Sequence, residues 1–213
     1  MDNYVITIAR GYGSGGKEIG RLLSEQLGIP CYESQIPAMA SEFSGINQNR
    51  FMQVDERLKK PKLFRALRKV PDIDRLYAPN ERKFVSDDNL YSIQAWIINE
   101  LAKTRSCIII GKCANYLLKH QLNVVSAYVE APRANCVDTV MKKLAVTQDE
   151  ANRLITKTDR YRRDYYKYYT GGEDWTNPTL YDITINTGRL NYHQAAQLII
   201  QAVRIKLGDE VLY

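Results

Sequence analysis

Gly11-Tyr12-Gly13-Ser14-Gly15-Gly16-Lys17 sets four glycines and a lysine within seven residues, in the spacing G-x-x-x-x-G-K. That combination is suited to binding phosphate. Backbone N–H groups converge on phosphate oxygens only where no Cβ obstructs the approach or the positive φ it requires, hence the glycines. Lys17 adds a point charge where β- and γ-phosphates lie. A helix beginning there adds unpaired N–H groups and a favourable dipole. The residues expected to cradle phosphates are Gly11, Tyr12, Gly13, Ser14, Gly15, Gly16, Lys17 and Glu18. Glu18 departs from the pattern, because Ser or Thr after the lysine would offer Mg²⁺ a hydroxyl.

A second constellation is Lys157-Thr158-Asp159-Arg160-Tyr161-Arg162-Arg163-Asp164, followed by Tyr165, Tyr166, Tyr168 and Tyr169. At helical spacing Lys157, Arg160 and Asp164 share one face, and Arg162 lies beside Tyr165, Tyr166 and Tyr169. Arginine forks bind phosphate oxygens in pairs and offset the charge of a transferring phosphoryl group. Arg160, Arg162 and Arg163 are thus expected to join Lys17 in catalysis, on a lid over residues 157–176. The plainer alternative is an exposed helix whose acids and bases pair with one another. A further one is a tyrosine surface on which single-stranded nucleic acid stacks.

These groups need a scaffold, and its pattern is regular. Val5 to Arg10 reads as an apolar strand, and Ile19, Leu22, Leu23 and Leu27 line one face of the helix after the loop. Ile29 to Glu33 is a second strand, ending in Glu33-Ser34. Asp87-Asp88-Asn89 cap a long helix to about Lys103, with Ile93, Trp96, Ile97, Leu101 and Ala102 on its inner face. Cys107 to Ile110 is wholly apolar, as a central parallel strand is, and ends in Gly111-Lys112-Cys113-Ala114-Asn115. Strands over Asn123–Val129 and Tyr181–Thr187 follow. Helices over 135–144, from Thr147 (a capping box with Glu150) to Tyr169, and over 192–206 complete the alternation. The result is an α/β fold with a parallel sheet between helical layers, its β-to-α turns gathered on one edge. Residues 35–87 break the periodicity. The basic run within them, punctuated by Pro61, Pro71 and Pro79, reads as an insertion covering a second substrate. The expected division is a core of 1–34, 88–156 and 177–213, an insertion of 35–87 and the lid.

Bulk composition narrows the class. With 213 residues, 45% hydrophobic and 25% charged, the chain suits one sizeable core, and its net charge of +6 suits anionic ligands. No apolar run reaches membrane-spanning length, and no signal segment is evident. Cys31, Cys107, Cys113 and Cys136 form no C-x-x-C pair, and His120 and His193 stand apart. Free thiols in a cytoplasmic, reducing compartment are expected in place of zinc or disulfides.

Four stretches together resemble the cytidylate kinase-like family, a branch of the P-loop nucleoside monophosphate kinases. They are Ile8-Ala9-Arg10 through Tyr12–Gly20; Leu27–Pro30 with Tyr32; Ile110–Tyr116; and Asp159, Arg162, Tyr165, Tyr166, Tyr169–Gly171, Trp175, Tyr181-Asp182 and Ile185–Thr187. The resemblance implies a P-loop NTPase core with a monophosphate-binding insertion and a lid. It implies ATP as donor with Mg²⁺, and a nucleoside monophosphate such as CMP or dCMP as acceptor. It places Glu33, Ser34, Lys112, Asn115 and Asp159 at the acceptor, and Arg162 in the lid. Three positions depart from cytidylate kinases. Glu18-Ile19 lacks a hydroxyl, leaving Ser14 or water for the metal; the arginine expected near Met39 is absent; and Lys112-Cys113 replaces Arg-Asp. A nucleotide-binding regulatory protein without catalysis is the alternative these departures suggest. Nucleic acid is not the expected partner, and the sequence leaves the oligomeric state open.

Overall fold

The computed structural model describes residues 3–56 and 75–212. The part of the basic insertion between those ranges, with Pro61 and Pro71, lies outside the described residues. Five strands form one sheet: β1 (Val5–Arg10), β2 (Cys31–Tyr32), β3 (Cys107–Ile110), β4 (Val124–Glu130) and β5 (Ile183–Asn186). Their order is β2-β3-β1-β4-β5 and all neighbours run parallel, with Val5 opposite both Cys107 and Val124. All five strands therefore end on the same edge, which carries Arg10, Glu33, Gly111, Glu130 and Asn186.

Strand alternation builds a core on each face. Val5, Ala9, Cys107, Ile109 and Tyr128 face one side, where they meet α2 (Gln35–Ser44), α3 (Gln48–Glu56), α4 (Asp87–Thr104) and α7 (Gln148–Tyr169). Ile6, Ile8, Ile108, Ile110 and Val125 face the other, against α1 (Gly16–Leu27) and α8 (Tyr192–Leu207). Between them in sequence lie the short α5 (Ala114–Leu117) and α6 (Arg133–Leu144).

Three details differ from the sequence reading. The cap of α4 is Ser86, whose side chain accepts from the Asn89 N–H, while Asp87 and Asp88 occupy the first turn. Asn89 serves the insertion instead, accepting from the Tyr77 N–H at 3.0 Å and donating to the Phe84 carbonyl at 2.7 Å. Trp96, expected on the inner face, is 38% exposed and stacks on Phe43 of α2, ring centres 4.4 Å apart. The buried face of α4 is broader than one stripe near its start, because α2, α3 and the sheet surround it, and Trp96 falls outside that wrap.

The capping box of Thr147 and Glu150 is formed, and α7 runs unbroken for 22 residues. The segment read as a lid therefore begins inside a helix whose first turns belong to the core. Its far end is anchored there too. Tyr165, Tyr166 and Tyr169 are buried, Tyr91 and Tyr169 stack at 3.7 Å, and Tyr168 donates to Asp88 at 2.8 Å. Tyr165, Tyr166 and Tyr169 therefore fill the interior and present no open stacking face. The four cysteines are free thiols.

Candidate active site

The loop between β1 and α1 has the conformation its glycines permit. Gly13 and Gly15 are left-handed, with φ of 89° and 88°, and Gly15 caps α1 without any side-chain hydrogen bond. The first N–H groups of the helix are thus left for a ligand. The same glycines admit close packing: a Cβ on Gly13 would come 2.7 Å from the Cys136 carbonyl, and one on Gly15 would enter the Tyr192 ring.

Ser14 does not do what the sequence suggested. Its hydroxyl is fully buried, 2.9 Å from the Gly11 carbonyl and 3.0 Å from that of Val129, so it braces the loop from beneath and cannot reach a metal above it. Glu18 turns outward to accept from Arg21 Nε at 3.0 Å. Among the described residues no cluster of three histidines, cysteines or carboxylates is able to hold a metal. Two carboxylates flank the start of the loop: Asp159 accepts from the Tyr12 N–H at 2.8 Å, and Glu130 stands where a Cβ of Gly11 would lie.

Lys17 Nζ lies 3.0 Å from Glu33 Oε2, and Arg10 Nη2 lies 2.9 Å from the other oxygen of the same carboxylate. Burial alone would raise the Glu33 carboxyl, but Arg10 and Lys17 outweigh it and hold it below the ordinary range. Across the cleft, Arg162 Nη1 donates to the Arg10 carbonyl at 2.9 Å and lies 3.7 Å from Asp159. Burial, then the neighbouring Arg10, lowers the Arg162 guanidinium to about 9. Lys112 is lowered to about 7 by burial and by Arg10. It sits on an unusual turn, in which Gly111, Lys112 and Cys113 are all left-handed with φ of 76°, 59° and 56°. Side chains other than glycine rarely tolerate this, and such backbone tends to mark functional sites.

Two cavities open on this edge. One, of about 840 Å³, is lined by the glycine loop, Lys17, Glu18, Arg21, Lys143 and Tyr192. The other, of about 560 Å³, lies between α7 and the insertion helices and is lined by Pro37, Gln48, Met52, Lys112, Lys157 and Tyr161. Arg10, Tyr12, Glu33, Ser34, Ile110 and Arg162 form a wall common to both.

The structure thus brings together Lys17, Glu33, Ser34, Lys112, Asp159 and Arg162. It leaves out Arg160 and Arg163, which are exposed and border neither cavity; Arg163 lies 3.6 Å from Asp164. One helical turn carries Arg162 inward and its neighbours outward. Asn115 is buried, donating to the Tyr166 hydroxyl at 2.9 Å. Arg10 was missed as a site residue. Its signal was present, because a charged residue closing an apolar parallel strand, directly before a phosphate loop, points at the ligand edge.

A phosphate loop after the central strand, a helix starting at its lysine and a parallel sheet in this order define a P-loop kinase fold. Among solved structures, an uncharacterised protein from Eubacterium ventriosum has a TM-score of 0.69 at 22% identity, covering 94% of this chain and 98% of that one. A gluconokinase from Sinorhizobium meliloti has a TM-score of 0.52 at 10% identity, covering 96% and 94%. Among curated relatives, a cytidylate kinase of Methanosarcina mazei is 22% identical over 207 residues, 96% of this chain and 99% of its own. The profile of the cytidylate kinase-like family matches residues 5–189, and the chain belongs to that family. It is a nucleotide kinase, a phosphotransferase.

Proposed function

We propose that the chain transfers the γ-phosphoryl group of ATP to a nucleoside monophosphate, with CMP or dCMP the leading acceptor. The observation that carries this reading is the pair of cavities meeting at one cationic wall. Phosphoryl transfer asks little covalent chemistry of a protein; it asks for two substrates in line and for charge neutralised between them. The loop N–H groups and Lys17 take the donor's phosphates. Arg162, on the shared wall, faces the group in transit. The acceptor lies under α2 and α3, with Lys112, Ser34 and Lys157 around it, and the first part of the 157–176 segment acts as its cover.

Magnesium enters with ATP as part of the substrate complex, held by phosphate oxygens and water, as suits a cation that keeps its hydration. Asp159, beside Tyr12 at the start of the loop, is the carboxylate that would accept from that water, since Glu130 is already engaged by the Tyr128 hydroxyl and the Ala131 N–H. Cytoplasm, with its ATP and reduced thiols, is the setting this reading implies. The test is ADP release with CMP, dCMP, UMP, AMP and GMP in turn, with CMP and dCMP expected to give the highest kcat/KM.

One observation favours a second reading. Glu33 pairs with Lys17 at 3.0 Å, as it would in a nucleotide sensor that binds without turnover. Saturable ATP binding with no ADP release from any acceptor would establish that reading over the first.

A further inference from the structure

We propose that the outer face of α2 and α4 is a self-association surface, on which a second copy of this chain docks about a two-fold axis with α4 antiparallel to α4. Phe43 and Trp96 are 52% and 38% exposed and stack on each other, ring centres 4.4 Å apart. Beside them a groove of about 360 Å³ runs between the two helices. Met39, Ile97 and Leu101 give it an apolar lining, and Glu42, Glu100 and Arg105 edge it. Two large rings left in water on adjoining helices, rimmed by charge, have the character of a contact surface, and tryptophan is foremost among the residues that carry such contacts. The groove shares no lining residue with either cavity of the ligand edge, so a second copy seated there leaves both open.

The charges select the occupant. The chain carries +6 overall, so copies meeting through their basic surfaces repel one another. This face is balanced instead, with Glu42 and Glu100 set against Lys103 and Arg105. A partner of uniform charge would meet its own sign at half of these side chains, whereas a second copy brings each sign to its opposite. Trp96, Asn99, Glu100 and Lys103 recur at helical spacing as one stripe along α4, and none of them is buried. Laid on itself antiparallel, about a point between Asn99 and Glu100, the stripe sets Lys103 of each copy over Trp96 of the other. Glu100 then faces Asn99. An ammonium over an indole face is attractive, and a two-fold axis makes the contact twice. Laid parallel, the stripe would set Glu100 on Glu100 and Lys103 on Lys103. Within one copy Lys103 Nζ lies 2.9 Å from Glu100, which keeps the ammonium on the stripe and leaning towards the axis.

The experiment is sedimentation equilibrium of the full chain at physiological salt, from about 1 to about 200 µM, for wild type, Trp96→Ala, Phe43→Ser and Lys103→Glu. Thermal unfolding verifies that each variant is folded. Wild type is expected to form a reversible dimer. Trp96→Ala should weaken it by at least about tenfold, as loss of a central aromatic anchor does. Phe43→Ser should weaken it by at least about threefold and stands in if Trp96→Ala does not fold. Lys103→Glu, which puts a carboxylate over the indole at both symmetric contacts, should cost at least about tenfold. The register has its own readout. Under mild oxidation Glu100→Cys, beside the axis, should give a covalent dimer beyond the wild-type background, and Thr104→Cys, one turn further from it, should not. Four results each overturn the proposal: a wild type that stays monomeric throughout, association of Trp96→Ala or Phe43→Ser at wild-type strength, masses that grow beyond the dimer, or readier cross-linking at position 104 than at 100.

Discussion

On the proposed reading, the donor and acceptor halves of this cleft are built from different materials. The donor half is backbone: glycines at φ of 89° and 88° and an uncapped helix start, all within one turn of chain. The acceptor half is side chain, assembled from the ends of β1, β2 and β3 and from α7. Arg10 reaches Glu33 across 23 positions and accepts from Arg162 across 152. A backbone cradle reads phosphate whatever is attached to it, whereas a set of long cations fixes a particular distance and shape. The donor half is thus free to stay generic, and specificity concentrates where the side chains are.

The largest expected effect is on the donor half. Lys17→Ala leaves α1 intact, because its side chain is mostly exposed, at 67%, and meets Glu33 through its terminal ammonium. It removes a charge aimed at phosphates, a change worth about 10²–10³-fold in turnover for a preorganised donor. Steady-state ADP release and thermal unfolding together test this: kcat/KM should collapse while the unfolding midpoint stays near that of wild type. A small kinetic effect would mean that the loop glycines bind phosphate without the lysine and would blur the contrast drawn above.

A smaller effect, confined to the acceptor half, is expected from pH. Lys112 titrates at about 7, lowered by burial first and by Arg10 second, with Glu33 and Cys113 pulling the other way. Lys157 and Arg162 share its cavity. Below that value the ammonium is charged and attracts a phosphate; above it the attraction fades. A phosphate monoester is already dianionic above about pH 7, so its own titration does not interfere. The KM for the acceptor should therefore rise, by up to about tenfold, between about pH 7 and about pH 8.5, with the KM for ATP nearly flat. Lys112→Arg, which stays protonated, should flatten the acceptor profile. Stability moves the other way. The unfolded chain binds more protons on Lys112 than the folded one between about 7 and the ordinary lysine range, so this residue's contribution to stability increases as pH rises through that window.

The legibility of the two halves in sequence follows the same division. Gly11 to Lys17 could be read directly because its function is encoded in local spacing, and the alternation of strands and helices could be read because periodicity is local too. Glu33, Lys112 and Asp159 were placed by likeness to a family, and the tertiary fold then joined them. Arg10's place on the ligand edge was legible from its position closing β1, but the room that Gly111, a hundred positions on, leaves for its head was not. Ser14 was misread for a related reason. The sequence offers its hydroxyl, but only the packing of the loop on β4 shows that the hydroxyl points down to Val129. Burial of the tyrosines along α7 was equally hidden, since a helix rich in charge gives no sign of which face the core will claim.

The smallest effect is expected at Arg160 and Arg163, and it sharpens the comparison by marking where the acceptor half stops. Both lie within three residues of Arg162 and share its chemistry, so a purely sequence-based account gives all three the same task. Geometry separates them: Arg162 donates to the Arg10 carbonyl at 2.9 Å, while Arg160 and Arg163 face water. Arg163 is offset by Asp164 at 3.6 Å, an exposed pair worth at most about 1 kcal/mol. The double variant Arg160→Ala, Arg163→Ala should therefore change the KM for either substrate by less than about twofold at physiological salt, where exposed charges are screened. The same measurement at low ionic strength allows a modest rise in acceptor KM through lost long-range attraction. A tenfold loss of kcat at physiological salt would instead require α7 to turn or unwind during the reaction, bringing these outer arginines onto the substrate. The acceptor half would then be larger in action than it is at rest.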